Sequence, residues 1–142
     1  KQLHDFTIEV LKTIAEETKE ALNADKMREA AGLLTGTHDY TSFCGNKKFK
    51  KSPVRTVTGI TITEADGKIR ILFTGDGFLQ NMVRIMAGTL IEVGLGKREV
   101  ASMLAILEAK SREAAGMMAP PEGLFLKKVF LSKFSKIFLA IL

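Results

Sequence analysis

Arg84 is a charged side chain inside an apolar stretch that is predicted to be helical. The apolar residues recur at steps of three and four, which predicts a helix over roughly Phe78 to Val93 that is buried on several sides: Leu79, Met82, Val83, Met86, Leu90 and Val93. A buried guanidinium needs an anion or several carbonyl groups, since an unpaired buried charge is costly. A structural ion pair with Glu92, Glu99 or another acid would meet this need. So would a side chain that snorkels to the surface, or a functional role in a site.

A cluster of lysines is the main basic feature of the chain. Lys47, Lys48, Lys50 and Lys51 fall within five residues, and Arg55 follows at the start of a predicted strand. Such a loop suits contacts with RNA phosphates, which carry no sequence information and weaken as salt rises. The alternative is a solvated loop whose charges serve solubility.

His38, Asp39 and Cys44 are the other residues of chemical interest. A nucleophilic cysteine needs a histidine side chain in contact with it, and sequence neighbours rarely achieve this. We therefore interpret His38-Asp39 as a hydrogen-bonded turn after a helix and give a Cys44/His38 catalytic pair little weight. No His or Cys residues have the spacing of metal ligands, so no metal site is predicted.

The composition limits the class of protein. The chain has 142 residues, enough for one compact domain, and its net charge of +5 favours phosphate-bearing partners. Cys44 is the one cysteine, which excludes an internal disulfide and suits a cytoplasmic location. No apolar run is long enough to span a bilayer. Lys1 in place of an initiating methionine indicates a fragment of a longer protein.

The elements that would position these residues follow from local patterns. Phe6, Val10 and Ile14 predict an amphipathic helix over Leu3 to Leu22. A second helix is predicted over Ala24 to Leu34, with Asn23 or Asp25 as its cap and Gly36 at its end. Thr37 to Pro53 is predicted to be a loop.

The second half of the chain begins with a predicted β-hairpin. Its strands are Val54 to Thr63 and Ile69 to Thr74, joined by a turn at Asp66-Gly67. Strict alternation along the first strand places Val57 and Thr61 on one face and Ile60 and Ile62 on the other. The remaining predicted elements are a helix over Glu99 to Ala109, a strand over Leu124 to Leu131, and a tail over Ser132 to Leu142 with apolar residues at helical spacing. The fold class is α+β, an antiparallel sheet covered on one face by helices. Three strands are expected, with an edge that is open to a partner.

Six blocks of sequence, taken in order, resemble the C-terminal half of the tRNA pseudouridine synthase A (TruA) family. They cover roughly residues 24 to 131, and they are MREAA at 27–31, LTGTHDYTSF at 34–43, SPVRTV at 52–57, GFLQNMVR at 77–84, GTLIEVG at 88–94 and APPEGLFL at 119–126. The resemblance implies half of a pseudouridine synthase fold. It divides the chain into a helical lead-in (1–23), the synthase domain (24–131) and an apolar, basic tail (132–142).

The resemblance also implies the chemistry. Such enzymes isomerise uridine to pseudouridine in the tRNA anticodon stem-loop, use an aspartate nucleophile, and need no metal or organic cofactor. The family's aspartate lies in a Gly-Arg-Thr-Asp-type motif of the N-terminal half, and this chain contains no such motif. The chain alone is therefore expected to be inactive. Arg84 matches the arginine that pairs with that aspartate, keeping it ionised and oriented.

Further roles are implied by the same resemblance. Leu124 and Leu126, on either side of Phe125, match the strand that lines the uracil pocket, and Phe78 and Leu79 are expected to support it. The expected partners are tRNA and the N-terminal half of the same enzyme. A homodimer is a further candidate, and no membrane partner is expected.

Two alternatives belong to other classes of protein. The chain could be a stand-alone, basic RNA-binding module without catalysis. It could also bind anionic membrane surfaces through its apolar, basic tail.

Overall fold

The computed structural model describes residues 3–11, 22–46, 52–65, 68–119, 124–131 and 134–136. Within them, a six-stranded antiparallel sheet has the order β2-β3-β4-β1-β5-β6. The strands are β1 Leu3–Leu11, β2 Gly36–Asp39, β3 Val54–Ala65, β4 Lys68–Gly75, β5 Leu124–Leu131 and β6 Phe134–Lys136. The expectation of three strands is therefore wrong, while the α+β class and the antiparallel sheet are confirmed.

The β3–β4 hairpin was predicted correctly from its β-branched residues. The register pairs Ala65 with Lys68, which leaves the predicted Asp66-Gly67 turn between them, outside the described residues. The predicted alternation along β3 is wrong at one point, because the register shifts between Val57 and Gly59. Val57 and Ile62 are both buried in the core as a result. A β-bulge, which adds one residue to one strand, accounts for this change of face.

The helix predicted over Leu3 to Leu22 is wrong for its first part. Leu3–Leu11 forms β1, in the middle of the sheet, hydrogen-bonded to β4 on one side and β5 on the other. Phe6, Ile8 and Val10 alternate with polar residues, so the segment also has the period of a strand. Residues 12–21 lie outside the described part, and the division of the chain at residue 23 stays a prediction.

The described residues form three α-helices, which cover one face of the sheet: α1 Ala24–Leu34, α2 Met82–Gly94 and α3 Ser102–Ala109. The bounds of α1 were predicted correctly, and the Asn23 side chain caps it by accepting a hydrogen bond from the Lys26 amide at 3.1 Å. Gly36 follows its end with a φ of +108°, a conformation that favours glycine. None of the helices in the described part of the chain is long and apolar enough to cross a membrane.

Helix α2 starts later than its apolar pattern predicts. Asn81 precedes it with φ 61° and ψ 9°, in the left-handed region, so residues 78–80 are not helical. From Met82 onward the helix is buried on nearly all sides, and only Arg84 and Glu92 among its residues are not fully buried. It packs in one core with α1 and with the inward residues of β4, namely Ile69, Ile71 and Phe73.

Two further predictions are corrected by the sheet. His38-Asp39 is not a turn but the end of β2, where His38 pairs with Arg55 and Asp39 with Val54. The helical spacing of the tail does not produce a helix at Phe134–Lys136, which forms β6 against β5. Residues 137–142 lie outside the described part. Each segment is fixed as a strand by its pairing, of β2 with β3 and of β6 with the preceding β5, and the spacing of apolar residues does not reveal this pairing.

Candidate active site around Arg84

Arg84 is half-buried and is bound to a backbone segment 35 residues away. Its Nε donates a hydrogen bond to the Ala119 carbonyl at 2.8 Å. In return, the Ala119 amide donates to the Arg84 carbonyl at 2.9 Å. The first bond fixes Nε, the second joins the two backbones, and no bond of an Nη atom is seen among the described residues.

The structural ion pair proposed for Arg84 is not formed with the acids named for it. Among residues 22–46, 52–65 and 68–119, no carboxylate forms an ion pair with Arg84. Glu92 instead accepts a hydrogen bond from Arg98 Nε at 2.7 Å. Within the described part of the chain, Arg84 therefore presents a positive charge without a matching anion.

Residues 115–119, here the connecting segment, lie along α2 and lead toward β5. The Gly116 amide donates to the buried Thr89 hydroxyl at 2.9 Å, and the Met117 amide donates to Glu92 Oε2 at 2.9 Å. The contact is closest at Gly88, where an added Cβ would lie 1.8 Å from the Met117 carbonyl oxygen. Together with the Ala119–Arg84 bonds, these contacts hold the segment along about two turns of the helix, from Arg84 to Glu92.

Glu92 is the acidic residue among those that bind the connecting segment to α2. Burial by itself would raise the pKa of Glu92. The hydrogen bonds from Arg98 and the Met117 amide, with the charges of Arg98 and Lys97, outweigh burial and hold the pKa below its ordinary value of 4.5. The carboxylate stays ionised and binds the connecting segment down to acidic pH.

Replacement of Glu92 by glutamine is expected to lower the free energy of unfolding by about 1–2 kcal/mol near pH 7. Because the pKa of Glu92 is lower in the folded protein, its contribution to stability is present above pH 4.5 and is lost as the pH falls through the folded pKa. Urea unfolding of both proteins between about pH 3.5 and 7 measures the difference. A difference that stayed constant over this range would contradict the assignment.

The predicted uracil-pocket residues Leu124, Phe125 and Leu126 begin strand β5. They pair in register with Ile8, Thr7 and Phe6 of β1, whereas β6 pairs with β5 only farther along, at residues 129–131. The chain reaches them from Ala119 within five residues. The connecting segment thus joins the Arg84 helix to this strand, and the pocket role of the three residues stays a prediction.

Phe78 and Leu79 lie between β4 and α2, as their sequence positions indicate. Both are partly buried against the core, and Phe78 lies against Gly75, at the end of β4. The Leu79 carbonyl accepts from the Met82 amide at 3.0 Å and so begins the first turn of α2. Their support of a pocket stays a prediction.

Arg55 is described by the structure, whereas Lys47, Lys48, Lys50 and Lys51 lie outside the described residues. Arg55 Nη1 donates to the Ser52 and Val54 carbonyls at 2.6 and 2.8 Å, and the side chain lies against Gly77. These bonds hold Arg55 locally, and its contact with RNA stays a prediction.

The structure does not support a Cys44/His38 pair. His38 Nε2 donates to the Thr35 carbonyl at 2.8 Å, and Cys44 Sγ donates to the Asn46 carbonyl at 3.2 Å. Each side chain thus bonds to a carbonyl two or three residues away rather than to the other.

Sequence reasoning did not single out Tyr40, which is buried in the core, or Asn81, which lies directly before the Arg84 helix. The fully buried Tyr40 hydroxyl donates to the Leu34 and Gly36 carbonyls, and burial, with the charge of Asp76, raises its pKa. Asn81, in its left-handed conformation, lies against Gly45, whose added Cβ would be 2.8 Å from Asn81 Nδ2. Strained backbone of this kind is concentrated at functional sites. The signal that could have found it is an asparagine, the residue after glycine most often left-handed, directly before an apolar helix.

The fold is an antiparallel sheet with helices on one face. Arg84 lies in one of these helices and pairs with no carboxylate among the described residues. This arrangement fits half of a pseudouridine synthase fold. The comparisons with known proteins agree. The family model described as tRNA pseudouridine synthase matches residues 30–130. The chain therefore belongs to the tRNA pseudouridine synthase family.

Relatives from several bacteria are named tRNA pseudouridine synthase A. The Bacillus subtilis (strain 168) protein is 50% identical over 109 residues, which cover 77% of this chain and 44% of the relative. The Staphylococcus aureus (strain JH1) protein is 43% identical over 123 residues, or 87% of this chain and 45% of the relative. The chain thus spans less than half the length of these curated relatives.

Proposed function

We propose that this chain is the C-terminal half of an enzyme that isomerises uridine to pseudouridine in the tRNA anticodon stem-loop. The observation that carries the proposal is Arg84, which is fixed at Nε by Ala119 and pairs with no carboxylate among the described residues. The 109-residue similarity to the Bacillus subtilis protein supports the same activity.

In this proposal Arg84 serves a catalytic aspartate that comes from the N-terminal half. A guanidinium beside a carboxylate stabilises the ionised form, lowers its pKa, and fixes its orientation through paired hydrogen bonds. The ionised aspartate is the nucleophile. It forms a bond to the sugar carbon as the bond from that carbon to N1 of uracil breaks. The uracil then rotates and its C5 displaces the aspartate from the sugar; C5 loses its hydrogen as a proton, and N1 gains a proton. Arg84 does not take part in bond formation but keeps the nucleophile ready. No metal or organic cofactor is required, and the enzyme would act in the cytoplasm.

The 142 residues alone are expected to be inactive, because their sequence contains no Gly-Arg-Thr-Asp motif. The measurement is release of tritium into water from tRNA labelled at C5 of uridine. The chain alone is expected to release none. A hybrid in which the chain replaces the matching half of the Bacillus subtilis relative is expected to release tritium, and to lose this activity when the motif's aspartate is changed to asparagine. Turnover by the chain alone would refute its inactivity, and a folded hybrid without turnover would refute the function.

A further inference from the structure

A polar cavity of about 300 Å³ lies at the end of α3, apart from the connecting segment's contact with Arg84. Residues 110–113 line it, together with Thr41, Cys44 and Asn46. This volume is at the lower end of the range for ligand pockets in proteins. Its lining is rich in polar groups, which favours a small charged or hydrogen-bonding ligand over an apolar one.

The charges of the lining favour an anion. Lys110 and Arg112 supply two positive charges, and Glu113 supplies one negative charge and accepts from the Ser111 hydroxyl at 2.7 Å. Arg112 Nη1 donates to the Gly116 carbonyl at 2.8 Å, which uses one of the five N–H donors of its guanidinium. Within the described residues, Lys110 forms no ion pair and no hydrogen bond through its ammonium group. The cavity thus offers a positioned guanidinium and an ammonium group that has no partner among the described residues.

The backbone of Lys110 is a second indication that its side chain has a role. Lys110 ends α3 with φ 49° and ψ 44°, the left-handed conformation that glycine usually adopts after a helix. For an L-residue other than glycine this conformation costs roughly 1–2 kcal/mol. A positive charge at a helix C-terminus returns roughly 0.3–1 kcal/mol, which is less. Stability alone would therefore favour glycine at this position.

Hydrogen bonds join the lining of the cavity to the residues that directly precede the Arg84 helix. The fully buried Ser42 hydroxyl accepts from the Ser111 amide at 2.9 Å and donates to the Ile106 carbonyl at 2.6 Å, tying residues 41–46 to the end of α3. The Gly45 amide donates to the Gln80 carbonyl at 2.8 Å. Gln80 lies four residues before Arg84, so an anion in the cavity would be held in a fixed relation to the guanidinium.

We propose that this cavity binds a phosphate of the tRNA backbone, near the nucleotide whose uracil reaches Arg84. Arginine and lysine together suit a phosphodiester, because the planar guanidinium binds two oxygens and the ammonium group adds a point charge. The inference rests on the proposed function for the identity of the RNA. Such a contact positions the RNA without reading its sequence.

The test compares two variants that each remove one exposed lysine charge, Lys110→Gln and Lys97→Gln. Lys97 follows the opposite end of α2 from Gln80 and lines no part of this cavity. Binding of the 142-residue chain to an unmodified tRNA transcript is measured between about 50 and 200 mM salt. Lys110→Gln is expected to weaken binding about 5- to 10-fold at low salt and to reduce the salt slope by roughly one. Lys97→Gln is expected to change binding less than about twofold.

Lys110→Gly separates binding from folding. Since glycine relieves the left-handed backbone, this variant is expected to melt at or above the temperature of the parent while binding tRNA as weakly as Lys110→Gln. Equal tRNA affinity for the parent and both Lys110 variants, equal losses for Lys97→Gln and Lys110→Gln, or no tRNA binding by the parent would each overturn the inference.

Inorganic phosphate distinguishes the source of the ligand. Calorimetric titration of the chain with phosphate alone is expected to show no saturable binding that depends on Lys110. Saturable binding lost in Lys110→Gln would mean that free phosphate is the ligand and would overturn the assignment to RNA. The tritium-release assay of the hybrid tests the proposed function separately. An inactive hybrid with binding that still depends on Lys110 would retain the cavity's role and reject the reaction.

Discussion

Replacement of Gly88 by alanine is expected to lower the free energy of unfolding by about 3 kcal/mol. The added Cβ would lie 1.8 Å from the Met117 carbonyl oxygen and 2.7 Å from its carbon, far inside van der Waals contact. Both atoms belong to backbone, so relief requires the connecting segment to move. That movement would stretch the bonds of Gly116 to Thr89 and of Ala119 to Arg84. The loss outweighs the gain of roughly 1 kcal/mol that alanine brings to a helix.

Gly32→Ala is the matched control, because it makes the same exchange inside helix α1. No atom lies within 4 Å of an added Cβ at Gly32, which is exposed. This variant is expected to be more stable than the parent by about 0.5–1 kcal/mol. Denaturant unfolding of the parent and both variants, fitted with a common slope, gives the two differences. If both variants changed stability in the same direction, the close contact between α2 and the connecting segment would be wrong.

Local sequence patterns correctly predicted those elements whose signals all lie close together along the chain. Helix α1 has an asparagine cap, an apolar face and a glycine after its end, and its bounds followed from these three features. The β3–β4 hairpin and strand β5 also followed from β-branched and apolar runs. In each case the signals lie close together in the sequence, at most over the span from Val54 to Gly75, so no knowledge of the tertiary fold was needed.

Strand β1 shows where local patterns are ambiguous. Phe6 and Val10 are four residues apart, a spacing that serves one face of a helix and also one face of a strand. Ile8 between them favours the strand, and pairing with β4 and β5, more than 55 residues away, makes that choice. The β3 bulge is similar, because alternation predicts faces only while the register is unbroken.

The candidate site was predictable in its residue but not in its geometry. A single arginine in an apolar helix drew attention to Arg84, and the structure places it half-buried in a helix that is otherwise buried except at Glu92. Its bond to Ala119 and the alternative pair of Glu92 with Arg98 depend on how the connecting segment crosses α2. Lys110 could not be singled out, since its left-handed backbone is a property of the folded chain.

Arg84→Lys in the hybrid enzyme is expected to lower kcat about 100- to 1,000-fold, the usual loss when one preorganised electrostatic contact to reacting groups is removed. Lysine keeps the positive charge but cannot form two parallel hydrogen bonds to a carboxylate. In the 142-residue chain, the same change removes the bond from Nε to Ala119 and is expected to cost about 1 kcal/mol of stability. Steady-state tritium release and denaturant unfolding measure the two effects.

Arg98→Lys is the matched control for the Arg84 substitution, because Arg98 also donates through Nε and is partly buried. The hydrogen-bond partner of Arg98 is Glu92. Arg98 lies beyond the C-terminal end of α2, whereas Arg84 lies near the N-terminal end. This variant is expected to lose stability while kcat stays within about threefold of the parent.

A second readout is the pH profile of Arg84→Gln. Without the guanidinium the pKa of the partner aspartate rises, so the acidic limb of the activity profile is expected to move to higher pH. A folded Arg84→Lys hybrid with parental kcat, or an acidic limb unmoved in Arg84→Gln, would show that Arg84 holds the connecting segment and does not serve the nucleophile.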